Sequence, residues 1–137
     1  SQTNGQVSTK TAESKFVADD KNAELTASSD VQSLVADGKS TAKLEVTLFS
    51  ANNPVGGNVW VDIEAPEGVT EKDYQFLPSK NDHFVSGKIT RTFSTSKPGV
   101  YTFTFNALTY GGYEMKPVTV TITAVDADTA KGEEAMK

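Results

Sequence analysis

Apolar and polar residues alternate with a period of two on both sides of a Ser-Lys-Pro-Gly corner, Ser96 to Gly99, and this is the clearest pattern in the chain. Beyond the corner, Tyr101, Phe103, Phe105 and Ala107 fall on one face and Thr102, Thr104 and Asn106 on the other, the spacing of a half-buried strand. Pro98 and Gly99 suit a type II turn: proline pre-sets φ at the first central position, and glycine accepts the positive φ needed at the second. The same alternation predicts a strand over Thr41–Phe49, with Ala42, Leu44, Val46 and Leu48 inward. A third covers Asn58–Ala65, with Val59, Val61, Ile63 and Ala65 inward and Trp60, Asp62 and Glu64 outward. The last runs over Val118–Val125, with Val118, Val120, Ile122 and Ala124 inward. Trp60 is thereby placed outside the core.

Between these strands the pattern weakens. Pro66 and Gly68 end the third strand, and the stretch from Val69 to Ser86 reads as irregular, anchored by Tyr74, Phe76, Leu77, Phe84 and Val85. Leu108–Met115 reads as a glycine-centred loop or hairpin. Two short β-like pieces, Lys15–Asp19 and Ala23–Ser28, precede an Asp37-Gly38 turn. In Lys88–Phe93 the alternation puts Arg91 on the same face as Ile89 and Phe93. A buried, unpaired guanidinium would cost several kcal/mol, so Arg91 is expected at a sheet margin or paired with a carboxylate. About seven short strands without a helical period predict an all-β fold, an immunoglobulin-like β-sandwich with Greek-key connections. A closed barrel satisfies the same strand count.

Composition narrows the function more than the fold. A chain of 137 residues, 36% hydrophobic and 23% charged, holds one domain with flanks to spare. Residues 1–14 carry too little apolar surface to repay ordering and read as linker; residues 126–137 read as a linker or tail. With no cysteine, neither disulfides nor thiolate chemistry is available. A formal net charge of −5 with scattered Lys and Arg argues against a nucleic-acid partner. No apolar run approaches the roughly 18 residues of a membrane span, so no membrane contact is expected of this segment. The chain is thus either cytosolic or an internal fragment of a larger protein.

The order Val35-Ala-Asp-Gly-Lys-Ser40, Thr41–Leu48, the turn Asn52-Asn-Pro-Val-Gly-Gly57, a valine-rich strand, and then Ser86–Phe105 resembles the immunoglobulin-like repeats of the intimin and invasin family of bacterial surface adhesins. The resemblance covers about Ala23 to Val125. Ala36–Ser40 and Lys97–Tyr101 carry most of it, whereas Lys80–Ser86 is longer than the family's link at that place. It implies an Ig-like domain over 23–125, with 1–22 a linker or the end of a preceding repeat. It also implies an extracellular, cell-surface setting, on the passenger of an outer-membrane protein, and neighbouring repeats as partners. The function it implies is a rigid spacer presenting a distal tip. Two other readings stay open: the repeat itself binds a host protein or glycan, or the domain decorates a phage or fibre.

The residue inventory is poor in catalytic chemistry. His83 is the single histidine, without a serine elbow or cysteine to pair with, so neither a triad nor a histidine-based metal site can be assembled, and no catalytic residue, metal or cofactor is expected. Asp62 and Glu64 lie roughly 7 Å apart on one outward strand face, a spacing a glycosidase pair could use, but outward carboxylates ordinarily keep a sheet solvated. Asp19, Asp20, Asp30, Asp126 and Asp128 have the oxygen chemistry of a calcium site but the spacing of no known loop, and read as solvated linker charge. The candidate ligand-binding residues are the aromatics Trp60, Tyr110 and Tyr113, which offer large contact area at low entropic cost.

Overall fold

The structure, a computed structural model, describes residues 19–129. The β-like piece expected at Lys15–Asp19 lies outside them but for its last residue. The strand with the strongest alternation is the longest: Gly99–Thr109 buries Tyr101, Phe103, Phe105, Ala107 and Thr109 on one face. In chain order the strands are β1 (Glu24–Ser29), β2 (Ser33–Ala36), β3 (Ala42–Ser50), β4 (Asn53–Pro54), β5 (Gly57–Glu64), β6 (Tyr74–Leu77), β7 (Asn81–His83), β8 (Lys88–Thr95), β9 (Gly99–Thr109) and β10 (Val118–Asp126). They form two sheets, β1-β3-β8-β6 with β4 pairing onto β3, and β2-β10-β9-β5-β7. The first edge strand is divided between them, β1 running antiparallel to β3 and β2 parallel to β10. Two facing sheets with this connectivity make an immunoglobulin-like β-sandwich, not a closed barrel.

The core is aromatic at its centre. From the first sheet come Tyr74, Phe76 and Phe93; from the second, Tyr101, Phe103 and Phe105. Phe93 meets Phe103 edge-on at 4.9 Å between centroids and Tyr101 at 5.0 Å, and Phe76 stacks on Phe103 at 5.7 Å. Full burial contributes about 1.5–3 kcal/mol for a side chain as large as phenylalanine, and each offset or edge-on pair adds about 0.5–1.5 kcal/mol. Leu44, Val46 and Leu48 of β3 and Ile122 of β10 are wholly buried in the same core.

The corner between β8 and β9 differs from the simple type II turn expected of it. Gly99 has φ +134° and already belongs to β9, and a Cβ there would run into the ring of Pro66, so close packing as well as backbone geometry demands glycine. The corner is closed by a side chain: Tyr101 Oη donates to Lys97 O at 2.8 Å and lies 2.7 Å from Thr95 Oγ1. A buried tyrosine at the start of this strand, tied back to the backbone upstream, is the tyrosine corner of immunoglobulin-like sandwiches. Burial pushes its phenol pKa up.

Val69–Ser86 is more regular than the sequence predicts. It holds a capped 3-10 turn at Glu71–Asp73 and two short edge strands, β6 and β7, which with β2 and β4 raise the strand count from about seven to ten among the described residues. Phe76 and Phe84 are buried as expected and Tyr74 packs against the core. Leu77 and Val85 are not anchors: they are 49% and 66% exposed. Leu77 ends an edge strand beside Pro78, and Val85 precedes the two-residue turn Ser86-Gly87, whose positive φ values (53° and 75°) fold β8 back so that Val85 and Lys88 exchange backbone hydrogen bonds. A side chain at such a tip projects from the sandwich.

Arg91 is 4% exposed and paired with a carboxylate, as its place in the alternation requires. Its guanidinium donates to Asp82 Oδ2 at 2.6 Å, Ser79 O at 2.7 Å and Thr90 O at 2.8 Å. Asp82 lies on β7 and Arg91 on β8, so this ion pair joins the two sheets along one open side. The hydrogen bond from Arg91, and then the backbone N–H of His83, hold the Asp82 carboxyl below the usual carboxylate range.

Candidate functional site

Trp60 stands on the outer face of the second sheet, as the alternation of β5 dictates, because its neighbours Val59 and Val61 are buried. It is half-buried. In the ladder it lies between two amides, Asn106 of β9 and Asn81 of β7. Two residues along the same face are Asp62, opposite Thr104, and Asn58, between Leu108 and His83. Asn106 Nδ2 donates to Asp62 Oδ2 at 3.2 Å and to Thr104 O at 3.4 Å. Further across the sheet the face is hydroxyl-rich, with Thr102 and Thr104 of β9 opposite Thr121 and Thr119 of β10.

Tyr110 and Tyr113 sit in the loop after β9, 65% and 45% exposed. That loop is well tied: Tyr110 N donates to Gly56 O, Thr109 N to Tyr113 O, Tyr113 N to Thr109 Oγ1 and Gly111 N to Asp20 Oδ2. The ring of Tyr110 lies over Gly56, where a Cβ would come within 2.9 Å of it. Gly56 is four residues before Trp60, about 13 Å at strand rise. The structure therefore does not gather the three aromatics; Trp60 belongs to the sheet face and the tyrosines to one pole of the sandwich.

The acidic residues are dispersed. Asp19 caps the short 3-10 turn at Asp20–Asn22, Asp20 holds Gly111, and Asp30 accepts from Lys43 N. Asp126 accepts from Asp128 N and Thr129 N at the opposite pole. Among the described residues no group of three or more His, Asp or Glu side chains is placed to hold a metal ion. His83 is exposed, 3.5 Å from Asp82 Oδ1, whose partner oxygen is engaged by Arg91. Asp62 and Glu64 are exposed on the outer face. Among the described residues, no helix is long and apolar enough to cross a membrane. Asn81, Asn106 and Thr104 were not singled out from sequence around Trp60, because only cross-strand pairing brings them to it.

No protein-family model matches the chain, and no curated protein matches it in sequence. Solved structures do match. The D00-D0 domain of intimin is 19% identical with a TM-score of 0.59, covering 78% of this chain and 49% of that one. The C-terminal 282-residue fragment of intimin, solved in complex with the intimin-binding domain of the translocated intimin receptor, is 14% identical with a TM-score of 0.52, covering 74% and 33%. A glycosyl hydrolase family 2 member from Bacteroides cellulosilyticus is 16% identical with a TM-score of 0.56, covering 74% of this chain but 14% of that one. The chain spans about half the length of the intimin D00-D0 chain. With its divided first edge strand, tyrosine corner and aromatic core, the chain has the fold of a bacterial immunoglobulin-like domain of the intimin and invasin type.

Proposed function

We propose that this domain is a non-catalytic, extracellular repeat of an intimin- or invasin-like surface adhesin, a stiff spacer in series with neighbouring repeats on an outer-membrane passenger. The observation that carries the reading is where the chain comes in and goes out. At one pole Asp20 is hydrogen-bonded to the loop after β9, beside the start of β10; at the other, β10 ends at Asp126. The nine residues of β10 separate these points by roughly 30 Å at strand rise. A domain entered at one pole and left at the other extends an array by its full length. The intimin fragments among the structural matches support the adhesin setting.

Head-to-tail concatemers of the 137-residue chain test this by small-angle scattering. The spacer reading expects the maximum dimension to grow linearly with copy number. Growth that levels off after two copies, as in collapsed or freely folding-back arrays, would refute it.

A further inference from the structure

We propose that the outer face of the second sheet around Trp60 is a binding site for a neutral saccharide. This rests on the composition and register of the face, and holds whether or not the domain is a spacer. A pyranose ring presents an apolar C–H face and a rim of hydroxyls, and the complementary surface is one flat aromatic ring with hydrogen-bonding groups at its edge. Trp60 supplies the ring. Asn106 and Asn81 lie directly opposite it on the two neighbouring strands, and Asp62 lies two residues along its own strand on the same face.

The hydrogen bonds already made decide what the rim offers. Asn106 directs its amide protons to Asp62 Oδ2 and Thr104 O, so what remains to it is the acceptor Oδ1, on a side chain hydrogen-bonded to the Asp62 carboxylate. An amide oxygen and a carboxylate on two hydrogen-bonded neighbours suit hydroxyl donors. Asn81, exposed on the other side of the indole, adds an amide with both donor and acceptor character.

Charge and apolar area argue against other occupants. The chain carries a net charge of −5, and Asp62 and Glu64 on β5 repel an anionic ligand such as a nucleic acid or a sulfated glycan. The core of a protein–protein interface is a contiguous apolar patch. Of the exposed large apolar side chains, Leu108, opposite Asn58, borders this patch and Tyr110 follows it two residues on, over Gly56; Val100, opposite Thr123, is at the far end of the face, so the apolar area beside Trp60 itself is small.

The test uses the whole 137-residue chain on a printed array of neutral, sialylated and sulfated oligosaccharides, followed by solution titration of the best neutral binder. Trp60 is the single tryptophan, so its emission reports occupancy without a label. The expected result is a saturable change in emission with a neutral oligosaccharide. By calorimetry, Trp60→Ala should weaken binding about tenfold or more, the scale of a lost aromatic stack, and Trp60→Phe should retain most of it. Asp62→Asn and Asn106→Ala, which remove no core side chain, should weaken binding several-fold at unchanged melting temperature, and Leu77→Ser, at an exposed position on the other sheet, should leave it unchanged. The proposal is overturned if no neutral glycan saturates the emission change at about 10 mM, beyond the millimolar range of weak specific binding. Binding confined to charged glycans, or surviving Trp60→Ala, overturns it equally.

Discussion

Replacing Asp82 by alanine should damage the domain more than its place on a three-residue edge strand suggests. The variant strips the carboxylate partner from a guanidinium that is 4% exposed. Removing one partner of a buried ion pair costs about 3–5 kcal/mol, because the remaining charge is left uncompensated. Two features reduce that figure. Asp82 is itself 32% exposed, so water enters part of the space it leaves, and Arg91 keeps its bonds to Ser79 O and Thr90 O. A loss of about 2–3 kcal/mol is expected, which lowers the melting temperature by roughly 10 °C in a domain of this size. Urea denaturation followed by Trp60 emission and by circular dichroism gives the value directly. Replacing both residues, as Asp82→Ala with Arg91→Met, should recover stability to within about 1 kcal/mol of the original, since an apolar side chain of similar volume needs no counter-charge. The pH dependence has a definite sign. Because the Asp82 carboxyl titrates below its ordinary value in the folded state, its contribution is complete above about pH 3.9 and is lost as the pH falls through the depressed value. The gap between the original chain and Asp82→Ala should therefore be constant near neutrality and close in acid. A single variant within about 0.5 kcal/mol of the original, or a double variant no more stable than the single, would refute the claim that the carboxylate is what makes Arg91 tolerable there.

Phe103→Ala and Phe105→Ala should each cost about 3–5 kcal/mol in the same denaturation assay, because both rings are almost wholly buried between the sheets; near-neutral values would mean that β9 presents its other face to the core. Tyr101→Phe keeps the ring but leaves Lys97 O and Thr95 Oγ1 without its hydroxyl, and should lower stability by about 1–3 kcal/mol. Gly99→Ala places a methyl group against Pro66 at a φ that L-residues avoid; a loss of about 1–3 kcal/mol is expected, and a melting curve superposable on the original would show that the corner relaxes freely.

The long strands were legible because each buries one face along most of its length. β3, β5, β9 and β10 appear within a residue or two of where alternation puts them, and the outward Trp60 follows from the same parity. β6 and β7 escaped because a strand of three or four residues at a sheet margin has no run of alternation to display, and its residues answer to one neighbouring strand. Leu77 and Val85 show the limit of reading hydrophobicity as burial: both stand where the chain reverses at the margin of the sandwich. Arg91 was legible as a problem but not in its solution, since Asp82 reaches it across two sheets. The polar surroundings of Trp60 were hidden for a related reason. Asn81 and Asn106 are 21 and 46 positions from it along the chain and become its neighbours only through the register of β5 with β7 and β9.

The parallel pairing of β2 with β10 has a mechanical consequence. Tension on the two ends of the chain draws β2 toward the pole where the chain comes in and β10 toward the pole where it goes out, so the strands are pulled in opposite senses along their common axis. The ladder from Ser33 and Thr123 to Ala36 and Asp126 then bears load across all its hydrogen bonds together, not one after another as in a hairpin peeled from its end. Such a clamp yields only when the whole patch slides at once, so the force at which the domain opens is set by this short ladder and not by its equilibrium stability.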